Sequence, residues 1–257
     1  MNKQKDNWPE RKRPPVHCTS HVHLWRVDLS RHRAFLEEYA MLLHAEERER
    51  AARFRLEDDR CRSMVGRGAL RILLAAYTGG NPRDLELKTT PNGKPVLAEE
   101  TPHAVRFNVS HSGDMVLCGF SREGDIGVDV EHIRTHTDYQ KLTARFFSSV
   151  ETDWLCALPE SRRLRAFYEL WVCKEAVIKA LGGGLSVPLD SFSILFSSTG
   201  HGVRVKFNDE MTPVKMALCL LYPAADYPAA VACLKDTPLE PQTYSLAVPD
   251  GKAFDET

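Results

Sequence analysis

Nothing in this 257-residue chain is apolar for long enough to span a bilayer. The best stretch, Met216 to Leu234, is broken by Pro223, Asp226 and Pro228, whereas a membrane helix needs about 20 apolar residues in a row. Neither sign of charge dominates: 34 Lys and Arg stand against 35 Asp and Glu, a formal net charge of -1. That excludes a general polyanion binder and argues against nucleic acid as a partner, although a local cluster can still hold one small anion. The seven cysteines include no Cys-x-x-Cys pair. Most lie in apolar contexts such as Val116-Leu117-Cys118-Gly119-Phe120, as buried thiols do in a reducing compartment. Met1 to Arg13 is polar, unlike a secretory leader, so a cytoplasmic protein with no membrane partner is expected. There is no Gly-x-Ser-x-Gly elbow, and Gly182-Gly183-Gly184 lacks the Lys and Ser/Thr of a phosphate loop. His17, Cys18, His21 and His23 invite a zinc site, but no second ligand cluster follows at finger-like spacing.

What remains is the composition of a packed globular chain, 43% hydrophobic and 27% charged. Residues 1–15 read as a loose leader and 236–257 as a polar, proline-rich tail. Between them the chain repeats itself. Ala52-Arg53-Phe54 precedes a helical stretch to Tyr77, then Gly79-Gly80 and a strand at Leu85–Lys88. Ala144-Arg145-Phe146 precedes a helical stretch to Leu181, then the glycine triplet and a strand at Ser191–Phe196. Glycine after a periodic apolar stretch is a helix stop. Two similar α/β halves are expected, residues 16–122 and 123–235, the second carrying the acidic residues described next.

The centre reads as an antiparallel meander. Val105–Val109 alternates, Ser110-His111-Ser112-Gly113-Asp114 turns, Met115–Phe120 is a buried-type run, and Ile126–Glu131 follows a second turn. Alternate strand residues share a face, which sets Asp129 and Glu131 together, opposite Ile126, Val128 and Val130. Two carboxylates about 7 Å apart on one strand face either meet solvent or share a cation. Leu170–Leu181 reads as a helix on which Glu175 and Lys179, four apart, share a face beside apolar neighbours. Alone, that pair is an ordinary surface ion pair. Brought to the acidic strand it makes a three-carboxylate site. Mg²⁺ prefers oxygen ligands completed by substrate phosphates, and a lysine one turn on reaches a phosphate oxygen.

Three segments, Phe107-Asn108-Val109-Ser110-His111-Ser112, Gly127-Val128-Asp129-Val130-Glu131 and Trp171-Val172-Cys173-Lys174-Glu175-Ala176-Val177-Ile178-Lys179, resemble the 4′-phosphopantetheinyl transferases. The match is to the long, pseudo-dimeric, surfactin-synthetase-activating branch. Gly93-Lys94-Pro95 and Phe146-Phe147-Ser148 with Glu151 stand at family-like places, and the resemblance runs from about Leu43 to Phe196. It implies two α/β subdomains with the active site between them. It implies coenzyme A as donor, a serine of an acyl or peptidyl carrier protein as acceptor, and adenosine 3′,5′-bisphosphate as product. Such carriers serve fatty-acid, polyketide and nonribosomal peptide synthesis. By the same resemblance Asp129, Glu131 and Glu175 hold Mg²⁺ (Mn²⁺ would also suit), Lys179 assists at the pyrophosphate, and Glu175 is the candidate base. Arg48, Arg50, Arg62 and Ser63 are carried over to the 3′-phosphate region, and Lys94, Ser110 and His111 to the nucleotide and phosphates. Glu47 departs from the pattern, standing where the surfactin-type enzyme has a basic residue. Glu151 also has the spacing of a capping box with Ser148. Internal duplication implies a monomer. Two other readings share the acidic triad: a Mg²⁺-dependent pyrophosphate hydrolase acting on CoA or a nucleotide, and a non-catalytic CoA-binding module.

Overall fold

A computed structural model describes residues 8–15, 22–98, 105–184, 187–197, 202–208 and 214–249. The first half runs β1 (Glu10–Arg11), β2 (Val22–Asp28), α1 (Leu29–His32), α2 (Leu36–Met41), α3 (Ala45–Ala52), α4 (Glu57–Thr78), β3 (Leu87–Thr89), β4 (Pro95–Leu97), β5 (Arg106–Ser112) and β6 (Met115–Ser121). The second runs β7 (Ile126–Val130), α5 (Tyr139–Phe146), α6 (Ser149–Ala157), α7 (Glu160–Leu181), β8 (Phe192–Phe196), β9 (Val203–Phe207), β10 (Ala217–Ala224) and β11 (Tyr227–Cys233), and β12 (Gln242–Leu246) is the last element among the described residues. Strand β6 lies between β2 and β5, and β11 lies between β7 and β10, with every one of those pairs antiparallel. A short hairpin, β3–β4 or β8–β9, follows each long helix. The halves therefore share one topology, as the glycine-punctuated repeat implied.

The likeness extends to side chains. Helices α4 and α7 are both 22 residues long and end on a left-handed glycine, Gly79 (φ 77°) and Gly182 (φ 71°), a conformation that costs glycine nothing. Eight residues before each cap stands a buried cation, Arg71 or Lys174. Arg71 donates to the carbonyls of Pro82 and Leu85, Lys174 to those of Leu189 and Phe192. Each also pairs with a glutamate in the first turn of a preceding helix: Glu47 with Arg71 at 2.8 Å, Glu151 with Lys174 at 2.9 Å. Both glutamates reach back to the amide that starts their own helix, His44 or Ser148. One brace is thus built twice. Glu47, the departure from the family pattern, is half of the first copy and also binds Arg67 at 3.0 Å.

Three apolar clusters fill the molecule. One lies between α4 and the first sheet, with Trp25, Leu73 and Phe120. A second surrounds α7, with Phe167, Val172 and Phe192. The third joins Leu24 and Leu117 of the first sheet to Ile126, Val128 and Val231 of the second.

Three expectations need correction. Residues Ser110–Ser112 are not turn but strand; only Gly113 and Asp114 turn. Polar Asn108, Ser110 and Ser112 mimic a loop because their partners lie on β7 and just past its end. The meander does not run on through β7, which pairs with β11. Finally, the ends are not loose where described: β12 lies between β1 and β2, parallel to both, and Trp8 is buried. Tyr244 and Leu246 of β12 enter the first cluster, so apolar residues among prolines form a strand. His17, Cys18 and His21 lie outside the described residues, while His23 of β2 bonds the Tyr77 hydroxyl at 2.5 Å. Among the described residues no helix is long and apolar enough to cross a membrane, and Ala217–Cys233 is the β10–β11 hairpin.

Candidate active site between the halves

Glycine 127 sets the geometry. A Cβ there would collide with the Ala176 carbonyl and the Ala180 amide, so α7 rests directly on the backbone of β7. That seat brings Lys179, one turn beyond Glu175, onto Asp129: its ammonium is 2.6 Å from Asp129 Oδ1, 3.1 Å from Ser110 Oγ and 3.2 Å from the Val128 carbonyl. Strand β5 approaches from the other side. Asn108 Oδ1 accepts the Val128 amide at 2.8 Å, Ser110 Oγ donates to Asp129 Oδ1 at 2.7 Å, and Ser112 Oγ donates to Glu131 Oε2 at 2.6 Å. Ser112 Oγ also accepts the His132 amide. Alternate side chains of β5 thereby fasten the two sheets where no backbone ladder does, and they hold the acidic strand.

The carboxylates are largely withdrawn from water, Asp129 most of all. Asp129 is only 3% exposed, and its Oδ2 is buried with no hydrogen-bond partner among the described residues. An unsatisfied buried carboxylate oxygen is costly and asks for a cation. Burial, then the charge of Asp129, raises the Glu175 pKa above 4.5. Burial likewise raises that of Glu131, against the Ser112 hydrogen bond that lowers it. An all-oxygen donor set of this charge suits a hard divalent ion. Yet among the described residues no three such side chains converge closely enough to hold a metal as they stand. The reason is local: Lys179 and Ser110 occupy Asp129 Oδ1, and Glu131 is turned to Ser112. Asp129 Oδ2 is left without a partner, and Glu175 makes no hydrogen bond or ion pair with the described residues.

Beside this group a cleft of about 420 Å³ opens between the halves. Arg62, His111, Ser112 and Gly113 form one wall; Glu131, Arg134, Thr137, Leu142, Phe167, Tyr168 and Trp171 form the other. Arg62 of α4 is aimed by two bonds, Nε to the Gly113 carbonyl at 2.8 Å and Nη1 to Asp59 at 2.5 Å. Desolvation in the cleft, then the Arg62 charge, lowers the His111 pKa below 6.5.

Of the residues expected to grip CoA, the cleft gathers Arg62 and His111, with Ser110 behind it on Asp129. The others stand apart. Lys94 donates to the carbonyls of Ile126 (3.1 Å) and Lys179 (3.2 Å), closing the last turn of α7 from the β3–β4 loop, and Asn92 does the same for Gly182. Its ammonium is engaged with backbone rather than facing the cleft. Arg48 donates to the Leu43 carbonyl on its own helix's approach. Arg50 and Ser63 bind none of the described residues and do not line the cleft. Arg134, Phe167 and Tyr168 were not singled out from sequence. Alternation of Asn108, Ser110 and Ser112 along one strand was the available sign of the cross-sheet fastening.

The first half matches the N-terminal domain of 4′-phosphopantetheinyl transferases over residues 29–121, and the second matches the 4′-phosphopantetheinyl transferase superfamily over 125–232. The chain is 35% identical over 179 residues to 4′-phosphopantetheinyl transferase HetI of Nostoc sp., covering 69% of this chain and 75% of that protein. It is 33% identical over 203 residues to 4′-phosphopantetheinyl transferase Sfp of Bacillus subtilis, covering 75% of this chain and 87% of that one. A crystal structure of a holo-(acyl-carrier-protein) synthase from Bacillus anthracis in complex with CoA aligns at 20% identity with a TM-score of 0.38, covering 44% of this chain and 96% of that chain. Two domain matches meeting at the β6–β7 junction, and relatives one-third identical over three-quarters or more of their own length, show that the chain belongs to the 4′-phosphopantetheinyl transferase superfamily.

Proposed function

We propose that this protein transfers the 4′-phosphopantetheine group of coenzyme A to a serine of an acyl or peptidyl carrier protein and releases adenosine 3′,5′-bisphosphate. The observation that carries this reading is buried Asp129, paired with half-buried Lys179 and with one carboxylate oxygen unpartnered among the described residues, beside a cleft walled by Arg62 and His111. Guanidinium forks suit phosphate oxygens, so Arg62 binds the phosphates of CoA, with His111 alongside.

The serine oxygen attacks the pantetheine-side phosphorus of the pyrophosphate. A new P–O bond forms to serine, and the bond from that phosphorus to the bridging oxygen breaks. Lys179 steadies the charge that gathers on the departing oxygen. Glu175 takes the serine proton, directly or through a water; its raised pKa makes its carboxylate a stronger base than an exposed one. Mg²⁺, or Mn²⁺ with the same preference for hard oxygen, would be held by Asp129, Glu131 and Glu175 and would supply positive charge at the pyrophosphate. Both walls of the cleft come from one chain, so a monomer suffices. The six described cysteines are free thiols, in keeping with a reducing compartment such as the cytoplasm.

The test is direct. The protein is incubated with CoA, Mg²⁺ and a panel of apo carrier proteins, and each carrier is weighed by mass spectrometry. Gain of one phosphopantetheine is expected. Consumption of CoA with every carrier unchanged would replace transfer by pyrophosphate hydrolysis, and CoA binding with no turnover would leave only a binding module.

A further inference from the structure

Strands β5 and β6 are joined by a two-residue turn, Gly113-Asp114, with Ser112 paired to Met115. Gly113 has φ +54°, and no non-glycine residue described has positive φ. That is the sign pattern of a type II′ hairpin turn, which takes glycine first. A type I′ turn closes the same hairpin with positive φ at both positions, and aspartate tolerates that conformation. The two turns differ by reversal of the peptide between Gly113 and Asp114, so pairing of the strands alone does not choose its direction.

Both ends of this one peptide are in use. Its carbonyl, on Gly113, accepts from Arg62 Nε at 2.8 Å. Its amide, on Asp114, donates to the Tyr227 hydroxyl at 3.1 Å. Because a trans peptide is planar, fixing the N–H fixes the opposed C=O. Tyr227 belongs to the other half, at the start of β11. Its ring is stacked on His132, centroids 4.7 Å apart and planes 16° from parallel. The His132 amide is in turn held by Ser112 Oγ at 3.1 Å. Tyr227 packs so tightly on the turn that a Cβ at Gly113 would lie 2.6 Å from its hydroxyl.

We propose that Tyr227 is a positioning residue for CoA binding: its hydroxyl fixes the Gly113–Asp114 peptide, whose carbonyl aims the Arg62 guanidinium into the cleft. The inference rests on the reading of that cleft as the CoA site. It makes the phosphate grip of the first half depend on a side chain of the second. With the hydroxyl removed, the peptide turns over, the Gly113 carbonyl leaves Arg62, and the guanidinium stays on Asp59 alone, drawn toward its own helix.

The experiment compares wild type, Tyr227→Phe, Arg62→Ala and the double variant. Both the steady-state transfer kinetics and CoA affinity by equilibrium titration are measured. Loss of one hydrogen bond to a charged group's anchor predicts a rise in KM and Kd for CoA of about 3- to 10-fold. The kcat should stay within about 2-fold, because the reacting groups are untouched. In the Arg62→Ala background the Tyr227→Phe change should add nothing. Gly113→Ala, which pushes on the same hydroxyl, should raise KM likewise. Unchanged CoA affinity in Tyr227→Phe overturns the latch, as does an equal loss with and without Arg62. If wild type binds CoA but modifies no carrier, the transferase reading fails, and the titration still decides the latch.

Discussion

Lys174 offers the sharpest test of how α7 is held. The side chain is 0% exposed, as is its partner Glu151. Its ammonium has three protons and three acceptors: Glu151 Oε2 at 2.9 Å, the Leu189 carbonyl at 2.7 Å and the Phe192 carbonyl at 2.8 Å. Glu151 is also satisfied from other sides, by the Ile194 amide at 2.7 Å and the Ser148 amide at 2.8 Å. Lys174→Met keeps most of the volume and removes the charge. It strands a carboxylate in the interior and leaves two carbonyls unpaired. Breaking a fully buried pair from one side costs about 3–5 kcal/mol. For a chain of this size each kcal/mol lowers Tm by about 2–4 °C, so thermal unfolding followed by circular dichroism should show a drop of about 6–20 °C. Glu151→Gln added to Lys174→Met should recover part of the loss, since the stranded charge is gone. A Tm within about 2 °C of wild type in Lys174→Met would refute the reasoning, and so would a double variant less stable than the single one.

Gly127→Ala should be as damaging from the opposite face of α7, costing about 3 kcal/mol or more because the new methyl meets helix backbone that cannot swing aside; transfer activity should fall with Tm. Asp129→Ala or Glu175→Ala should abolish carrier modification while the circular dichroism spectrum stays native, and wild-type turnover in either would remove them from the metal site. Lys179→Ala should lower kcat by about 100-fold or more while KM for CoA changes little; a pure loss of affinity would contradict its role at the leaving group. Glu131 and Glu175 have pKa values raised above 4.5, so the folded state binds their protons more readily than the unfolded chain. That contribution to stability is complete below 4.5 and is lost as pH rises through the raised values. Mg²⁺ should therefore raise Tm at neutral pH and lose its effect in acid, where both groups are protonated; a pH-independent effect would count against these ligands.

The duplication was legible because its punctuation is local: a helix stop needs only a glycine in the right place, and Gly79 and Gly182 are both used as such. The acidic strand was legible because alternation is local too, and Gly127 and Asp129 do face α7 while Val128 enters the core. Where partners are distant the reading failed. Ser110 and Ser112 looked like turn residues, since their hydrogen bonds run to carboxylates 19 positions away. Lys94 donates to carbonyls of the other half, contacts that no local pattern announces. Glu47 looked anomalous until Arg71 appeared beneath it. Whether a lone cation faces a ligand or a backbone oxygen is decided by packing, and no spacing rule encodes it.

Strand β12 has a consequence for how the molecule is made. Residues Gln242–Leu246 lie against β2, whose other neighbour is β6. The first sheet therefore cannot be finished when the first half leaves the ribosome; its gap is filled only after more than a hundred further residues have been synthesised. Until then one edge of β2 offers unpaired amides and carbonyls to any passing strand. The nascent N-terminal half needs protection for the whole time it takes to translate its twin.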